Sequence, residues 1–569
     1  MFMVIKKPLL AGLAAAALAF HLFAGGSFIK SAAPTFDEPV HLVTGYVYLT
    51  SGRFMMDLVG HPPLSEALSA LPLLFFKLSS FASHPFSING ETYSYADLFL
   101  YNNHAAPERL LNTARWGTFA LWTALSALFL YIFAVRLSGQ AAAVFSIIAF
   151  CFTPAFISNN ALVTTDAAAA VFYLGAVAAA YRCARFKPSA GRAATRPGDL
   201  WAAAAGALSG LAMASKFSMF IVPPVIIGLW LLDAFLNRSV KPARTLWYSC
   251  IFLAAAALAL SFVCRGEPGV YFTNLFETLG RISNGHSSFA WGRYSVTGVW
   301  WYFPLAFAVK TPLALVFLAA AGVLAFFRRP GRDWLWLLVP PGIYFAAALG
   351  SAVQIGYRHI LPVMLFVALA AGLGAEYIIS RRKWPLMLTA AALVLLWGGL
   401  MYRTHPYYLA YFNELAGGPG NGYKLLVDSN LDWGQDVKTL AGYLQTRNNP
   451  PIILSYFGVA KPESYGISYV PLGNYFKQLQ RKTGVQACGL KEVLLAVSAT
   501  NLQGVYYADK ESFAWLKSRK PVFTAGYSIF LYDLTADMDG ISRLAALLDR
   551  EGRNSEAECL YARLTAAPR

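Results

Sequence analysis

Asp37 and Glu38 stand side by side in Phe36-Asp37-Glu38-Pro39-Val40-His41, and the same region continues to Gly60-His61-Pro62-Pro63-Leu64. A carboxylate held at a helix end beside cations stays ionised and can take a proton from an acceptor hydroxyl or amine. The pair is equally suited to starting a helix, because Asp, Glu and Pro are all favoured in a first turn. His41 and His61 have the chemistry of metal ligands. Without an i, i+4 His pair or an HExxH pattern, orientation and hydrogen bonding are the expected roles, and a divalent metal stays an open reading with no cofactor assigned.

Further along, Asp166, a third candidate catalytic carboxylate beside Asp37 and Glu38, occurs in Val163-Thr164-Thr165-Asp166, Lys216 in Ala214-Ser215-Lys216-Phe217, Lys310 in Val309-Lys310-Thr311-Pro312, and Arg358 and His359 in Gly356-Tyr357-Arg358-His359. Each cation taken singly fits a side chain snorkelling to a membrane interface. Gathered on one face beside carboxylates, they make a site for an anionic group, Arg gripping phosphate through two bonds and Lys as a point charge. The stretch 265–301 adds Arg265, His286 and Trp291, which fit a sugar or acceptor platform as well as an interfacial belt. A last motif, Asp428-Ser429-Asn430-Leu431-Asp432-Trp433-Gly434-Gln435-Asp436, offers Asp428 and Asp432 as further contacts. It opens like a calcium loop but has Trp433 and Thr439 where that loop requires Gly and Glu.

The elements that must position these residues are membrane helices. Of 569 residues, 57% are hydrophobic and 13% charged, with mean hydropathy +0.48, whereas soluble proteins carry about a quarter charged residues. A bilayer core requires roughly 20 apolar residues per helix. Runs of that kind fall at about 8–29, 113–135, 139–158, 162–182, 199–215, 217–236, 245–264, 302–327, 333–350, 359–379 and 384–402, eleven spans in all. With Lys6 and Lys7 cytoplasmic, the basic clusters at Arg136, Arg182 to Arg196, Arg238 to Arg244, Arg328 to Arg332 and Arg381 to Lys383 all share that side. This is the positive-inside pattern, so the net charge of +17 reflects orientation, and nucleic acid is excluded as a partner. Asp37, Glu38, His41, His61, Asp166, Lys216, Arg265, Lys310, Arg358 and His359 then converge on the outer face.

The chain divides into a membrane domain at 1–402, with outer loops 31–112 and 265–301, an outer α/β domain at 403–540, and a tetratricopeptide-like helical hairpin at 541–569. The first run resembles a signal peptide but is as long as a full span, so an uncleaved helix is expected. In the outer domain, strands are predicted at Tyr423–Val427, Ile452–Phe457, Glu492–Val497 and Ser528–Tyr532, and helices at Asp436–Arg447 and Glu511–Ser518. A lone hairpin cannot bury its own apolar face, so it packs on the preceding domain or on a protein partner. Cys488 and Cys559 are far apart in sequence and are read as unpaired.

The first loop, Asp166, Lys216, Gly298 to Pro304, Lys310-Thr311-Pro312 and Gly356 to His359 resemble the protein O-mannosyltransferase superfamily and its bacterial relatives, the phospholipid-carrier-dependent glycosyltransferases of the GT-C fold. Tyr411 to Pro419 and Asp428 to Asp436 resemble a signature of a prokaryotic branch. The resemblance covers about 30–440. It implies a polytopic helical membrane protein of the bacterial inner membrane, with its site and C-terminal domain outside. It further implies inverting transfer of a sugar from a polyprenyl-phosphate donor to an acceptor, protein, lipid or glycan, with Asp37 matching the family's first-loop aspartate. The aminoarabinose transferases of this group carry Lys where this chain has His61, so the acceptor does not transfer with the resemblance. A lipid-linked saccharide transporter, which would place polar groups at the midplane, and a non-catalytic envelope scaffold are the alternatives.

Overall fold

The computed structural model describes residues 7–55, 60–186, 197–236, 242–328, 331–382, 384–473 and 484–566. A helix lies at each of the eleven predicted spans. Among the described residues, seven helices are long and apolar enough to cross a membrane, or eight if a bent pair counts as one span. The chain is a multi-pass membrane protein, but the count of eleven full-length spans is not reached, because Gln140–Phe152, Pro197–Met213 and Trp334–Leu349 are short. Asp166–Ala184 is almost wholly enclosed by the other helices, and Trp384–Thr404 runs along the outside of the bundle. Close packing depends on small residues: a Cβ on Gly374 would overlap the Leu318 carbonyl of the neighbouring helix.

The predicted span 302–327 is two helices, Tyr302–Lys310 and Leu313–Phe327, bent by 106°. Pro312 at the break cannot donate a backbone hydrogen bond. The freed carbonyls are satisfied from outside the helix, as membrane depth requires. Asn413 Nδ2 donates to Ala308 O at 2.6 Å and Thr311 O at 2.7 Å, and its backbone N–H to Val309 O at 2.8 Å. The bend leaves Lys310 at the end of its helix, turned toward the outer domain.

The small antiparallel pair β1 (Ser288–Ala290) and β2 (Arg293–Ser295) lies in the second outer loop. The segment after residue 403, expected to be the outer domain, holds a five-stranded sheet of β3 (Ile452–Ser455), β4 (Tyr469–Pro471), β5 (Leu494–Ser498), β6 (Phe523–Ala525) and β7 (Ile529–Asp533) in the order β4-β3-β5-β7-β6. Pairings β3–β4 and β3–β5 are parallel, and those of β7 antiparallel. The apolar runs predicted around 452, 492 and 528 become its three central strands. Tyr423–Val427 does not join them: its Leu426 makes only an isolated bridge to Ala290. The helix predicted at 436–447 forms as Val437–Gln445, whereas 511–518 yields only a short 3-10 turn.

The hairpin forms as Met538–Arg550 and Asn554–Ala566. It packs on the outer domain, with Glu551 accepting from Gly473 N at 2.7 Å and Arg553 donating to Pro471 O. Cys488 and Cys559 form a disulfide across this contact, Cα atoms 4.8 Å apart. That corrects the unpaired reading, which followed from a sequence separation of 71 residues that the hairpin closes.

Candidate active site

Asp37 precedes the helix Glu38–Ser51, Asp166 opens Asp166–Ala184, Lys216 lies in the turn after Pro197–Met213, and Arg358 lies in the 3-10 turn before Leu361–Arg381. These helix ends meet. Arg358 Nη2 is 3.0 Å from Asp37 Oδ2 and Nη1 is 3.4 Å from Asp166 Oδ2, while Lys216 Nζ bonds Asp166 Oδ1. The result is a chain of alternating charge, Asp37, Arg358, Asp166 and Lys216. The Arg358 guanidinium also lies 4.1 Å over the Trp433 ring and donates to Ser429 Oγ at 3.1 Å. Asp166 is 1% exposed and Asp37 30%, so Asp37 is the carboxylate of this chain that a ligand can reach.

Glu38 is not part of this group. Its side chain is wholly buried and takes two bonds from Arg115, Nε at 2.8 Å and Nη2 at 2.5 Å, with further bonds from the Thr35 N–H and hydroxyl and the Val163 N–H. Burial alone would raise its pKa, but the Arg115 charge and these donors hold it below the usual carboxylate range. It has no lone pair left for catalysis, and its sequence-based assignment as a catalytic group is corrected to an anchor for the first loop. Arg115 itself was not singled out in the sequence. Its carbonyl partners Ala32 and Ala33 complete the anchor.

His41 does not face Asp37. Its Nδ1 is 2.9 Å from Glu66 Oε1, whose other oxygen accepts from Thr44. Burial pushes the Glu66 carboxyl up. The His61 ring lies 5.5 Å from His41, and its Nδ1 has no partner among the described residues. Burial and then the neighbouring His41 and Lys216 charges hold His61 well below its ordinary pKa, so a neutral imidazole borders the cluster. His359 Nε2 is likewise without a partner.

Lys310 stands apart from Asp37 and Asp166. Its ammonium bonds the carbonyls of Leu409, at 2.9 Å, and Asn430, over the Phe412 ring at 4.5 Å. It therefore ties the membrane helices to the segment after residue 403, and it lines one small pocket with Arg358, Tyr411 and Ser429, so it lies beside the Arg358 guanidinium with its ammonium held by backbone carbonyls. Arg265 is exposed at the far end of the first-loop helix, bonded to Tyr48 O at 2.8 Å. Trp291 is 69% exposed and makes a backbone bond to Leu425. His286 packs on Tyr506 with ring centroids 5.7 Å apart.

Asp432 is fully buried, which corrects its expectation as a sugar contact, whereas Asp428 is buried to the same degree as Arg358 and Lys216 and is tied up by its neighbours. Asp428 accepts from Tyr506 Oη at 2.5 Å and Ser429 N at 2.6 Å. Asp432 accepts from Thr500 N at 2.7 Å, and its other oxygen has no hydrogen-bond partner among the described residues. Burial pushes the Asp432 carboxyl up to about 7. A carboxyl raised on folding binds its proton more tightly when folded, so stability falls as pH rises from the unfolded carboxylate range through about 7. Asp432→Asn, which keeps one acceptor and cannot ionise, is expected to raise the melting temperature clearly more at pH 8 than at pH 5, where only the first part of the window up to about 7 has been crossed. Equal effects at both pH values would show that ionisation of Asp432 is not involved.

Among the described residues no group of three or more His, Cys, Asp or Glu side chains converges to hold a metal ion. Between Tyr302–Lys310, Leu313–Phe327, Trp334–Leu349 and Leu361–Arg381 lies an apolar groove of about 330 Å³, lined by Phe307, Leu337, Pro341, Phe345 and Phe366 among others. It begins one helical turn from Phe303, whose ring is 6.3 Å from that of His359.

Several solved structures are similar to the chain, three of them as follows. ArnT from Cupriavidus metallidurans bound to undecaprenyl phosphate aligns over 94% of this chain and 99% of its own, at 13% identity and TM-score 0.49. The Archaeoglobus fulgidus oligosaccharyltransferase aligns over 68% and 52%, at 14% and 0.44. The S. cerevisiae protein O-mannosyltransferase Pmt1-Pmt2 complex bound to the sugar donor aligns over 49% and 35%, at 19% and 0.33. No curated protein matches the chain. A family model, dolichyl-phosphate-mannose-protein mannosyltransferase, matches residues 112–264, the segment that contributes Arg115, Asp166 and Lys216. Over that segment the chain is similar to the dolichyl-phosphate-mannose-protein mannosyltransferase family.

Proposed function

We propose that this protein is an integral-membrane inverting glycosyltransferase that moves a sugar from a polyprenyl-phosphate donor to an acceptor on the non-cytoplasmic face. The observation that carries the reading is the accessible Asp37 carboxylate held by Arg358, with Asp166 and Lys216 behind it. Inversion needs a base on one side of the anomeric carbon and stabilisation of negative charge on the departing phosphate on the other. Asp37 is the base, taking the proton of the acceptor nucleophile as the new glycosidic bond forms. Arg358 and Lys216, with His61 and His359 as hydrogen-bonding neighbours, stabilise the leaving lipid phosphate. The apolar groove beneath His359 takes the prenyl chain.

The outer orientation is supported by the basic clusters and by the Cys488–Cys559 disulfide, since disulfides persist in oxidising compartments. The test is transfer from a radiolabelled polyprenyl-phosphate sugar to endogenous acceptor in membranes. Native mass spectrometry of the purified protein serves alongside it to find a bound lipid-phosphate sugar. An impermeant maleimide is expected to label a cysteine placed at Lys510 from outside only. Movement of a lipid-linked saccharide across the bilayer with no transfer would favour the transporter, and labelling from the cytoplasm would invert the site.

A further inference from the structure

The motif Asp428 to Asp436 belongs to the outer part of the chain, yet it touches each end of the Asp37–Arg358 pair. On the Arg358 side, Ser429 Oγ accepts from Arg358 Nε at 3.1 Å and donates to Ile355 O at 2.8 Å. Asn430 Oδ1 accepts from Tyr357 N at 2.8 Å, and its amide donates to Tyr302 Oη and Val427 O, both at 2.9 Å. The motif comes so close that a Cβ on Gly356 would overlap Ser429 Oγ. On the Asp37 side, the backbone carbonyls of Gln435 and Trp433 accept from Ala33 N at 2.8 Å and Phe36 N at 3.0 Å. These fix the loop segment that delivers Asp37, and the Trp433 ring closes over the guanidinium.

None of these groups is free to react with a ligand. Ser429 and Asn430 are 3% and 0% exposed, and their polar side-chain atoms are spent on Arg358, on the backbone of Ile355 and Tyr357, and on Tyr302 and Val427. The motif is held from behind by the outer domain, through Thr500 to Asp428 N at 3.1 Å and to Asp432. A guanidinium on its own stem has several rotamers. One that receives a partner at Nε as well as at both terminal nitrogens has its plane fixed. We infer that Ser429 and Asn430 are positioning residues by which the outer domain sets the Arg358 fork between Asp37 and Asp166. The inference rests on the glycosyltransferase reading for its catalytic consequence, but not for its geometry.

The experiment uses the full-length protein in detergent or nanodiscs and has two arms. In the first, Asp37 modification by a water-soluble carbodiimide with glycine ethyl ester is quantified by peptide mass spectrometry. Ser429→Ala, with unchanged melting temperature, is expected to raise Asp37 labelling toward the level of Arg358→Gln. In the second, transfer is measured for Ser429→Ala, Arg358→Lys and the double variant. Loss of a hydrogen bond to a charged group predicts a decrease of about 10-fold or more in kcat/KM for Ser429→Ala. In the Arg358→Lys background the same change is expected to cost almost nothing, because Nε is already absent. Labelling that stays at the wild-type level in Ser429→Ala while rising in Arg358→Gln overturns the inference, as do additive losses in the cycle. If Ser429→Ala does not fold, Ser429→Cys, of nearly the same shape with a weaker acceptor, makes the same comparison. A wild-type protein without transfer would refute the functional reading, and the labelling arm would still decide the role of Ser429.

Discussion

Asp37→Asn is expected to lower sugar transfer by about 10²–10⁴-fold, the usual worth of a positioned base, with donor binding nearly intact. The expectation follows from exposure and partnership. Asp166 is 1% exposed and Glu38 wholly buried, whereas Asp37 is 30% exposed. A group that removes a proton from an incoming nucleophile must reach it. Asn keeps the shape and can still accept from Arg358, so the loss isolates basicity from packing. Glu38→Gln should act differently: it weakens a fully desolvated pair with Arg115, and one-sided loss in such pairs costs several kcal/mol of stability. Its signature is a lower melting temperature, with transfer per folded molecule largely retained. The measurement is initial rate against donor concentration in membranes, with donor binding assayed separately. Near-normal turnover by Asp37→Asn would remove it as the base and transfer that role to another group.

The four charges that meet in the structure were legible in the sequence because each lies at or just beyond the end of an apolar run. Asp37, Asp166, Lys216 and Arg358 are costly in hydrocarbon, and orientation by the positive-inside rule puts all four on one face. Their pairing was not legible, since sequence order carries no information on which helix ends abut. The same reasoning grouped Lys310 with them. Its carbonyl partners come from the segment after residue 403, and nothing in the local sequence marks a Lys that caps backbone oxygens rather than an anion. Glu38 looked like a second catalytic acid because its partner Arg115 lies 77 residues away, one turn inside a predicted span. Helix position was more legible than helix length, since Pro107–Ser138 outruns its predicted span 113–135 while the predicted span 139–158 breaks after Phe152. The apolar run 302–327 read as one span, although Pro312 stood at the break, because the carbonyls freed there are satisfied by Asn413 from another part of the chain. The acidic motif at 428–436 was visible as a cluster of carboxyls at the mouth of a helix. Its burial was not, since burial is supplied by the domain interface.

Arg358→Lys is expected to lose most of the transfer activity although the charge is unchanged. The guanidinium makes four separate contacts: Asp37, Asp166, Ser429 and the Trp433 face. An ammonium on a shorter stem is a compact point charge with no planar fork, so it can stay near one carboxylate and cannot span both while stacking on the indole. Hydrogen bonds to charged groups contribute about 1.5–3 kcal/mol each. Loss of even one in the transition state is worth roughly 10- to 100-fold. The direction of the kinetic change separates two roles for this residue. If Arg358 grips the donor phosphate equally before and during transfer, KM rises with kcat nearly constant; if it stabilises the charge that develops as the sugar leaves, kcat falls as well. The proposed mechanism predicts the second pattern, because the fork that meets the departing phosphate also holds the base. Lys216→Ala provides the contrast. It leaves Asp166 with Arg358 as its sole cationic partner of the pair, so Arg358 is drawn away from Asp37 and kcat should fall with an intact guanidinium in place. Wild-type kcat and KM in both Arg358→Lys and Lys216→Ala would show that the charge chain serves the fold and not the transfer.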